Sequence, residues 1–379
     1  MSFALTEEQV AVREAARDYL RDHADFERLR RTIESEAGWD EPLWQGFAQE
    51  LGFAGLGIAE AHGGIGLGPV EQALILEELG RVLAPIPWFE SVVLAAGTIA
   101  EAGSEAQRAA LLPSIASGET IATLAMRAPS GAALPAGIGP RLSGGRISGE
   151  AHYVPFGHVA QLLLVAARND VGDGWDGISL IAIPSDQPGI SVERVTSLDL
   201  TRPYATVRFD NVAADAGQAL AGGGAALRRA LAAASGLLAS EQLGGAVRSL
   251  DETVAYSKER VQFGRVIGSF QAMKHRMADM KLLVDTARSA ADWAARAIAA
   301  GGDFTLAAAG ARSYCSEAYL ACAADAIQLH GGIGFTWEHH AHLFFKRARA
   351  SATLLDPPAE HRETIAKAII DKADPEAAE

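Results

Sequence analysis

The segment Tyr256–Gly264 constrains the fold of this 379-residue chain most strongly, because a long helical pattern ends there at a glycine. The pattern runs over residues 227–262, which at ~1.5 Å per residue predicts a helix roughly 50 Å long. Arg260 and Phe263 are three residues apart, so they are predicted to share one face at the end of this helix. A second helix follows, and Ser269 is predicted to cap its start. The chain must therefore pack long helices against one another.

Three stretches of different pattern follow one another along the chain. Residues 1–117 have helical spacing of apolar side chains and predict an N-terminal α-helical domain. Residues 118–221 hold short, β-branched runs separated by turn residues, which predict a central antiparallel β-barrel or sandwich. After the glycines at 222–224, interpreted as a linker, residues 225–372 predict a C-terminal helical bundle. The strands are predicted at 120–126, 142–147, 161–167, 177–183, 191–195 and 204–209.

Composition and charge exclude several classes of function. The chain is 49% hydrophobic and 21% charged, which is ordinary for a globular protein, and its length predicts two or three domains. The net charge of −14 disfavours nucleic acid and anionic membrane surfaces as partners. We find no basic-then-apolar leader pattern and no run of 18 apolar residues, so a cytoplasmic location is expected.

A second glycine-rich segment resembles the first in its layout. Gln328-Leu329-His330-Gly331-Gly332 closes a later helical pattern, and Ile333-Gly334-Phe335-Thr336 continues it. A guanidinium and an aromatic ring at a helix end suit a pyrophosphate or the flat ring of a cofactor. Two such ends in one chain favour a binding site over a simple covered turn.

These segments resemble motifs of the acyl-CoA dehydrogenase family, in which R-x-x-F-G, then F-Q, then Q-x-x-G-G-x-G-[YF] mark the C-terminal helical domain. Three further segments are similar to the family's opening, its P-E-x-x-G-G-x-G loop and its E-E-L-G motif, and the resemblance spans nearly the whole chain. They are Leu5–Gln9, Ala59–Leu67 and Glu77–Gly80.

The resemblance implies FAD as cofactor and the α,β-dehydrogenation of an acyl-CoA thioester. A carboxylate would remove the α-proton, and the β-hydride would pass to the flavin. It also implies a homo- or hetero-oligomer, with an electron-transfer flavoprotein as acceptor. The residues that would reach the adenine and diphosphate of the flavin across a subunit interface are Arg260, Phe263, Gln271, Gln328, Gly331 and Gly332.

The position of the catalytic base departs from the family pattern. Most members have Glu-Gly-Thr about two dozen residues after G-G-x-G, and here the ungapped count falls on Asp356-Pro357-Pro358. A branch of the family carries its base on the long helix, where Ala234 stands here and Glu241 lies two turns further on. Asp356 is the first candidate base and Glu241 the second, and the alternative for Asp356 is a loop cap before two prolines.

The flavin cradle of the central domain is also altered. The family's T-E-P-x-x-G-S-D is replaced here by residues 125–131, and its W-I-T by Tyr153-Val154-Pro155. Tyr153 retains a ring that can stack on a flavin. Pro155 supplies neither the hydroxyl nor the N–H of the threonine. Two contacts to the flavin are thus predicted to be lost within this chain.

Two other groups of residues, three histidines and two cysteines, are not predicted to form a metal site or a disulfide. His339, His340 and His342 lack cysteine or paired carboxylate partners at ligand spacing, so no metal site is predicted. Cys315 and Cys322 lie seven residues apart on one helical stretch, too far for a disulfide, and are predicted to be core residues.

Three functional hypotheses follow. The first is a subunit of a hetero-oligomeric acyl-CoA dehydrogenase, similar to sterol-degrading bacterial members that pair unlike chains, with a degenerate site of its own. The second is a self-sufficient homo-oligomeric dehydrogenase that uses Asp356. The third is a family member with another flavin chemistry. The acyl group is not predicted from the sequence.

Overall fold

The computed structural model describes residues 4–370. In chain order, helices come before and after the strands of a seven-stranded sheet. The α-helices are α1 Glu7–His23, α2 Phe26–Glu34, α3 Glu41–Trp44, α4 Pro69–Val82, α5 Ala96–Ala102, α6 Glu105–Ala116, α7 Gly223–Glu259, α8 Gln271–Ala300, α9 Thr305–His330, α10 Ala341–Thr353 and α11 Pro358–Ile370. The strands of the sheet are β1 Ala122–Ala125, β2 Arg141–Ser143, β3 Arg146–Pro155, β4 Leu162–Arg168, β5 Ile178–Pro184, β6 Ile190–Val195 and β7 Tyr204–Ala213.

The chain divides into two compact units. Within the described residues, a bundle unit contains residues 4–31, Pro69–Ala84 and residues 235–370. A sheet unit contains Thr32–Gly68 and Pro85–Ala234. The three domain ranges drawn from the sequence stay a prediction, and the predicted end of the last one, residue 372, lies outside the described residues.

The sheet is mixed, whereas the sequence pattern predicts an antiparallel one. β4 pairs parallel to β1 and to β2, and antiparallel to β5 over seven residue pairs from Leu162 with Pro184 to Arg168 with Ile178. β3 and β7 form the longest antiparallel pair, and β6 follows β7. Alternating polarity marks a strand but does not tell which neighbour it pairs with, and this explains the error.

Two glycines change the strand boundaries that the sequence predicts. Residues 142–147 are not one strand, because Gly144 and Gly145 both have positive φ and turn β2 back into β3. Glycine adopts such φ values at little cost. β3 then continues to Pro155, so the altered W-I-T position lies on a strand.

The glycines at 222–224 are not a linker. Gly223 and Gly224 form the first residues of α7, and the Gly222 N–H donates to the carbonyl oxygen of Ala102. A Cβ at Gly224 would overlap the carbonyl oxygen of Trp175. These glycines therefore allow close packing within the sheet unit rather than chain flexibility.

The bundle unit depends on a close approach between α4 and α7. A Cβ at Gly80 would overlap the carbonyl oxygen of Glu241, and a Cβ at Gly244 would overlap that of Glu77. Without side chains at these points the two helix backbones can touch. Within the same unit, the carboxylate of Glu77 binds the guanidinium of Arg288 with two contacts of 2.8 Å.

The Glu77–Gly80 motif therefore has a structural explanation. Glu77 and Glu78 are buried and each binds an arginine of another helix, Arg288 and Arg17 respectively. Bidentate arginine–carboxylate pairs fix orientation as well as charge. Gly80 then permits the backbone contact.

Among residues 4–370 no helix is both long enough and apolar enough to cross a membrane.

We predict that Gly244→Ala destabilises the protein by about 1–3 kcal/mol, because its methyl group would force α4 and α7 apart. Gly97→Ala is the matched control, since Gly97 is exposed in α5 and a Cβ there meets no atom within 4 Å. Alanine in place of glycine on an exposed helix face favours the helix by up to about 1 kcal/mol. Thermal unfolding of both variants checks this, and equal melting temperatures would contradict the close-approach account.

Candidate functional site: the ends of two long helices

The end of α7 is a tight hairpin, not a helical face. α7 ends at Glu259, and the two-residue strands Val261–Gln262 and Arg265–Val266 pair antiparallel. Phe263 and Gly264, with φ of 53° and 76°, form the turn between them. Two successive positive φ values are the mark of a type I′ hairpin turn. The prediction that Arg260 and Phe263 share a helical face is therefore wrong, because the helix has ended before either residue.

The start of α8 also differs from the sequence-based expectation. Phe270 occupies the N-cap position, and no side chain caps the helix there. The Ser269 hydroxyl instead donates to the carbonyl oxygen of Val266 at 2.7 Å. Ser269 thus stabilises the hairpin, and the predicted cap is wrong. Gln271 is the first residue of α8 and is exposed.

All six residues expected to clamp a flavin are exposed. The Phe263 ring is 92% exposed on the hairpin turn. Within residues 4–370 no hydrogen-bond or ion-pair partner is found for the Arg260 guanidinium. Gln328 is exposed in the last turn of α9, and a Cβ at Gly331 or Gly332 would meet no atom within 4 Å.

A ring contact connects the end of α7 with the end of α9. Tyr256, one turn before Arg260, stacks on His330 with a centroid distance of 4.5 Å. His330 is the last residue of α9, and Gly331 follows with a φ of 66°. The sequence analysis missed this contact. The available signal was that Tyr256 opens the first glycine-ended segment and that His330 lies inside the second.

We call Arg260, Phe263, Gln271, Gln328, Gly331 and Gly332 the clamp residues. Their chemistry fits an external diphosphate or flat ring. A free guanidinium can make charge-assisted bonds to phosphate oxygens, and bare glycine backbone lets a ligand come close. The hairpin also exposes the aromatic ring of Phe263.

Tyr153 lies on β3 in the sheet unit, at a break in the register with β7. Its φ is 55° and its side chain is 52% exposed, so the ring is available to a partner. Pro155 ends the strand, and its carbonyl oxygen accepts a bond of 2.8 Å from the Thr123 hydroxyl. Pro155 therefore offers an external ligand neither an N–H nor a hydroxyl group.

Asp356 lies in the loop between α10 and α11. It is half-buried, and both Leu355 and Asp356 have positive φ, 59° and 81°. Positive φ costs a residue with a side chain about 1–2 kcal/mol, so the surrounding structure must hold the loop in place. Pro358 begins α11, in the first helical position that proline favours.

Two side chains of the bundle unit hold this loop. The buried Arg312 donates to the carbonyl oxygens of Ser351 and Leu354, where α10 ends. His361 of α11 bonds to the loop backbone, and its ring lies 3.4 Å from the Ser235 hydroxyl. Burial lowers the pKa of His361 to about 4, and the charge of Arg312 adds to this. The ring is therefore neutral at physiological pH.

Glu241 lies in the packed interior of the bundle unit. It is 5% exposed, and its Oε1 lies 3.0 Å from Nη1 of the buried Arg347. Its backbone carbonyl faces Gly80 at the contact of α4 with α7. The carboxylate is thus committed to an ion pair.

Within residues 4–370 no group of three histidine, cysteine, aspartate or glutamate residues is arranged to hold a metal ion. Cys315 and Cys322 are free and buried, as the sequence predicts for core residues, and burial raises the pKa of each thiol to about 12.

Comparison with known proteins agrees with the motifs. Sequence models of the N-terminal and C-terminal domains of acyl-CoA dehydrogenases match residues 6–119 and 206–370. The acyl-CoA dehydrogenase IpdE2 of Mycolicibacterium smegmatis is 37% identical over 94% of this chain and 97% of its own length.

Of two similar solved structures, one is described as a steroid enzyme and the other as a complex of two named chains. A variant of the Tcur3481-Tcur3483 steroid ACAD is 34% identical with a TM-score of 0.86, covering 97% of this chain and 99% of its own. The ChsE4-ChsE5 complex of Mycobacterium tuberculosis is 28% identical with a TM-score of 0.88, covering 97% and 98%.

The chain belongs to the acyl-CoA dehydrogenase family. Members of this family are FAD-dependent flavoproteins that oxidise a CH–CH bond of an acyl-CoA. The predicted fold is confirmed in its order of helical, sheet and helical regions.

We predict that Glu241→Ala lowers the free energy of unfolding by about 3–5 kcal/mol, because it leaves Arg347 buried without this carboxylate. The double variant Glu241→Leu/Arg347→Met should regain most of that stability, since apolar side chains replace the pair. Denaturant unfolding of the three proteins measures this. If Glu241→Ala unfolds like the unmodified chain while its complex loses turnover, the carboxylate has a catalytic rather than a structural role.

Proposed function

We propose that this chain is one subunit of a hetero-oligomeric acyl-CoA dehydrogenase and that its own flavin and acyl-CoA sites are degenerate. In this proposal the clamp residues bind a flavin that is held mainly by an unlike subunit. The acyl-CoA is the substrate of the complex, and an electron-transfer flavoprotein is the expected acceptor. We further propose a cytoplasmic location.

The exposure of the clamp residues carries the proposal. Arg260 and Phe263 are exposed, and no partner for the Arg260 guanidinium is found within the described chain. An exposed guanidinium, in a unit that also exposes the glycines at 331 and 332, fits a group that arrives from outside.

The clamp residues would hold the distal part of FAD. Arg260 would neutralise diphosphate charge, and the backbone at Gly331 and Gly332 would allow close approach of the adenosine portion. When bound, the flavin supplies the hydride-accepting ring of the family's reaction. The protein residues orient and retain the cofactor.

The sheet unit is poorly suited to hold the flavin ring by itself. Where the family has a threonine, Pro155 offers neither a hydroxyl nor an N–H donor. Arg127, in the segment that replaces the family's other cradle motif, donates from Nη1 to the carbonyl oxygen of Ala132 at 3.1 Å. It therefore folds back on its own loop.

The relatives support a complex of unlike chains. The ChsE4-ChsE5 structure is described as a complex of two named chains, and the steroid ACAD also carries two chain names. Both cover nearly the whole of this chain. A subunit with an exposed clamp and a weak cradle of its own suits such a division of roles.

One observation favours the alternative, a self-sufficient enzyme with Asp356 as base. The Leu355-Asp356 loop is strained and is held from two sides by Arg312 and His361. Strained backbone at a defined position is common in active sites. In this alternative Asp356 would accept the α-proton of the substrate.

We predict that the chain expressed alone retains little FAD and oxidises acyl-CoAs poorly, whereas co-expression with an unlike family member gives a yellow, active complex. The absorbance spectrum per chain and the turnover of a CoA thioester measure this. A catalytic carboxylate displaced by about 1 Å can cost on the order of a hundredfold in rate. Stoichiometric FAD and turnover in the isolated chain, abolished by Asp356→Asn, would establish the alternative.

We predict that Arg260→Ala weakens FAD retention in the flavin-bearing complex by about 1.5–3 kcal/mol, the worth of a hydrogen bond to a charged group. Arg265→Ala is the matched control, because Arg265 lies on the same hairpin with its guanidinium 4.0 Å from the centre of the Phe270 ring. FAD release is followed by flavin fluorescence. Equal release from both variants would show that Arg260 is structural only.

A further inference from the structure

Five aromatic rings form a continuous column in the bundle unit, and none of them belongs to the clamp residues. In order they are Tyr256, His330, His339, His340 and Phe26. The centroid distances between successive rings are 4.5, 4.3, 4.7 and 3.6 Å, and the last pair is parallel within 3°. We call this set the ring column.

Hydrogen bonds show whether Nδ1 carries a proton in two of its histidines. His330 donates from Nδ1 to the carbonyl oxygen of Ala326 at 2.7 Å. The Ala341 N–H donates to Nδ1 of His339 at 3.1 Å, so this nitrogen must be without a proton. A protonated His339 would lose that bond, because both ring nitrogens would then be donors.

The surroundings oppose a charge on the same two rings. Burial lowers the pKa of His330 and lowers that of His339 to about 4, and neighbouring histidine charges and Arg30 add to the effect at His339. Glu252 acts in the opposite direction on both, but it is bound to His340 and to Arg248. The column is therefore a stack of neutral rings around its middle.

The column connects the two halves of the clamp. His330 directly precedes Gly331, and the carbonyl oxygen of Tyr256 accepts the Arg260 N–H at 2.9 Å. A shift of either ring would move one half of the clamp relative to the other. His340 and Phe26 extend the stack to α2, which anchors it within the unit.

We propose that His330 and His339 are positioning residues of the flavin clamp, whose packed rings set the separation between the end of α7 and the end of α9. This rests on the proposed role of the clamp residues. Neither histidine needs to touch the flavin. Their effect reaches it through Arg260 on one side and through Gly331 and Gly332 on the other.

The column makes flavin retention sensitive to acid. His339 has a pKa near 4 in the folded protein and about 6.5 when unfolded, so its contribution to stability is fully present above pH 6.5. That contribution is lost progressively as the pH falls from about 6.5 to about 4, because the unfolded or opened form binds the proton more readily. FAD release should therefore accelerate over this interval.

The test measures the dissociation constant of FAD in the co-expressed complex. Removing the ring in His330→Ala or His330→Leu should weaken binding about tenfold, since the ring contacts with Tyr256 and His339 are lost. His330→Phe keeps a ring without a titrating group and should bind within about twofold of the unmodified complex. His339→Phe removes the ring whose pKa lies near 4, so between pH 6.5 and 5 it should lose less affinity than the unmodified complex. His23→Ala, an exposed histidine outside the column, is the control.

His330→Leu retains a buried side chain of similar volume, so it decides the question even if His330→Ala does not assemble. If His330→Leu binds FAD as tightly as the unmodified complex, the positioning role is wrong. If Arg260→Ala weakens binding at the same time, the proposed function survives that failure. If neither variant changes FAD binding, the clamp proposal itself is wrong.

Discussion

The contact between α4 and α7 is the constraint on which the bundle unit depends. Gly80 faces the backbone of Glu241, and Gly244 faces the backbone of Glu77. Each helix therefore has a glycine where the other helix comes closest. The buried carboxylates of Glu77 and Glu241 then bind arginines of α8 and α10. A buried ion pair is costly if one partner is removed, so these contacts also determine which helices can be neighbours.

The position of the clamp follows from this arrangement. α7 runs through the unit and ends in the hairpin at Phe263, while α9 ends in the glycines at 331 and 332. The stack of Tyr256 on His330 brings these ends together. Among the described residues, the clamp residues at these helix ends are exposed. A subunit built in this way is suited to complete a cofactor site that another chain begins.

The loop with Asp356 shows the opposite organisation. Arg312 and His361 hold its backbone, and two prolines follow it. These bonds would hold a purely structural loop as well as one that carries a catalytic carboxylate. Glu241 is less ambiguous, because its carboxylate is bound to Arg347 inside the unit.

Motif and periodicity determined the helical, sheet and helical order, the burial of Cys315 and Cys322 and the family, because these depend on local pattern and on residues in sequence order. The helical face of Arg260, the cap at Ser269 and the antiparallel sheet were predicted wrongly. In each case the outcome depended on φ values or on strand partners, which one sequence does not specify. Only the tertiary structure brought Tyr256 and His330 into contact and committed Glu241 to Arg347, because residues far apart in sequence meet only when the helices pack.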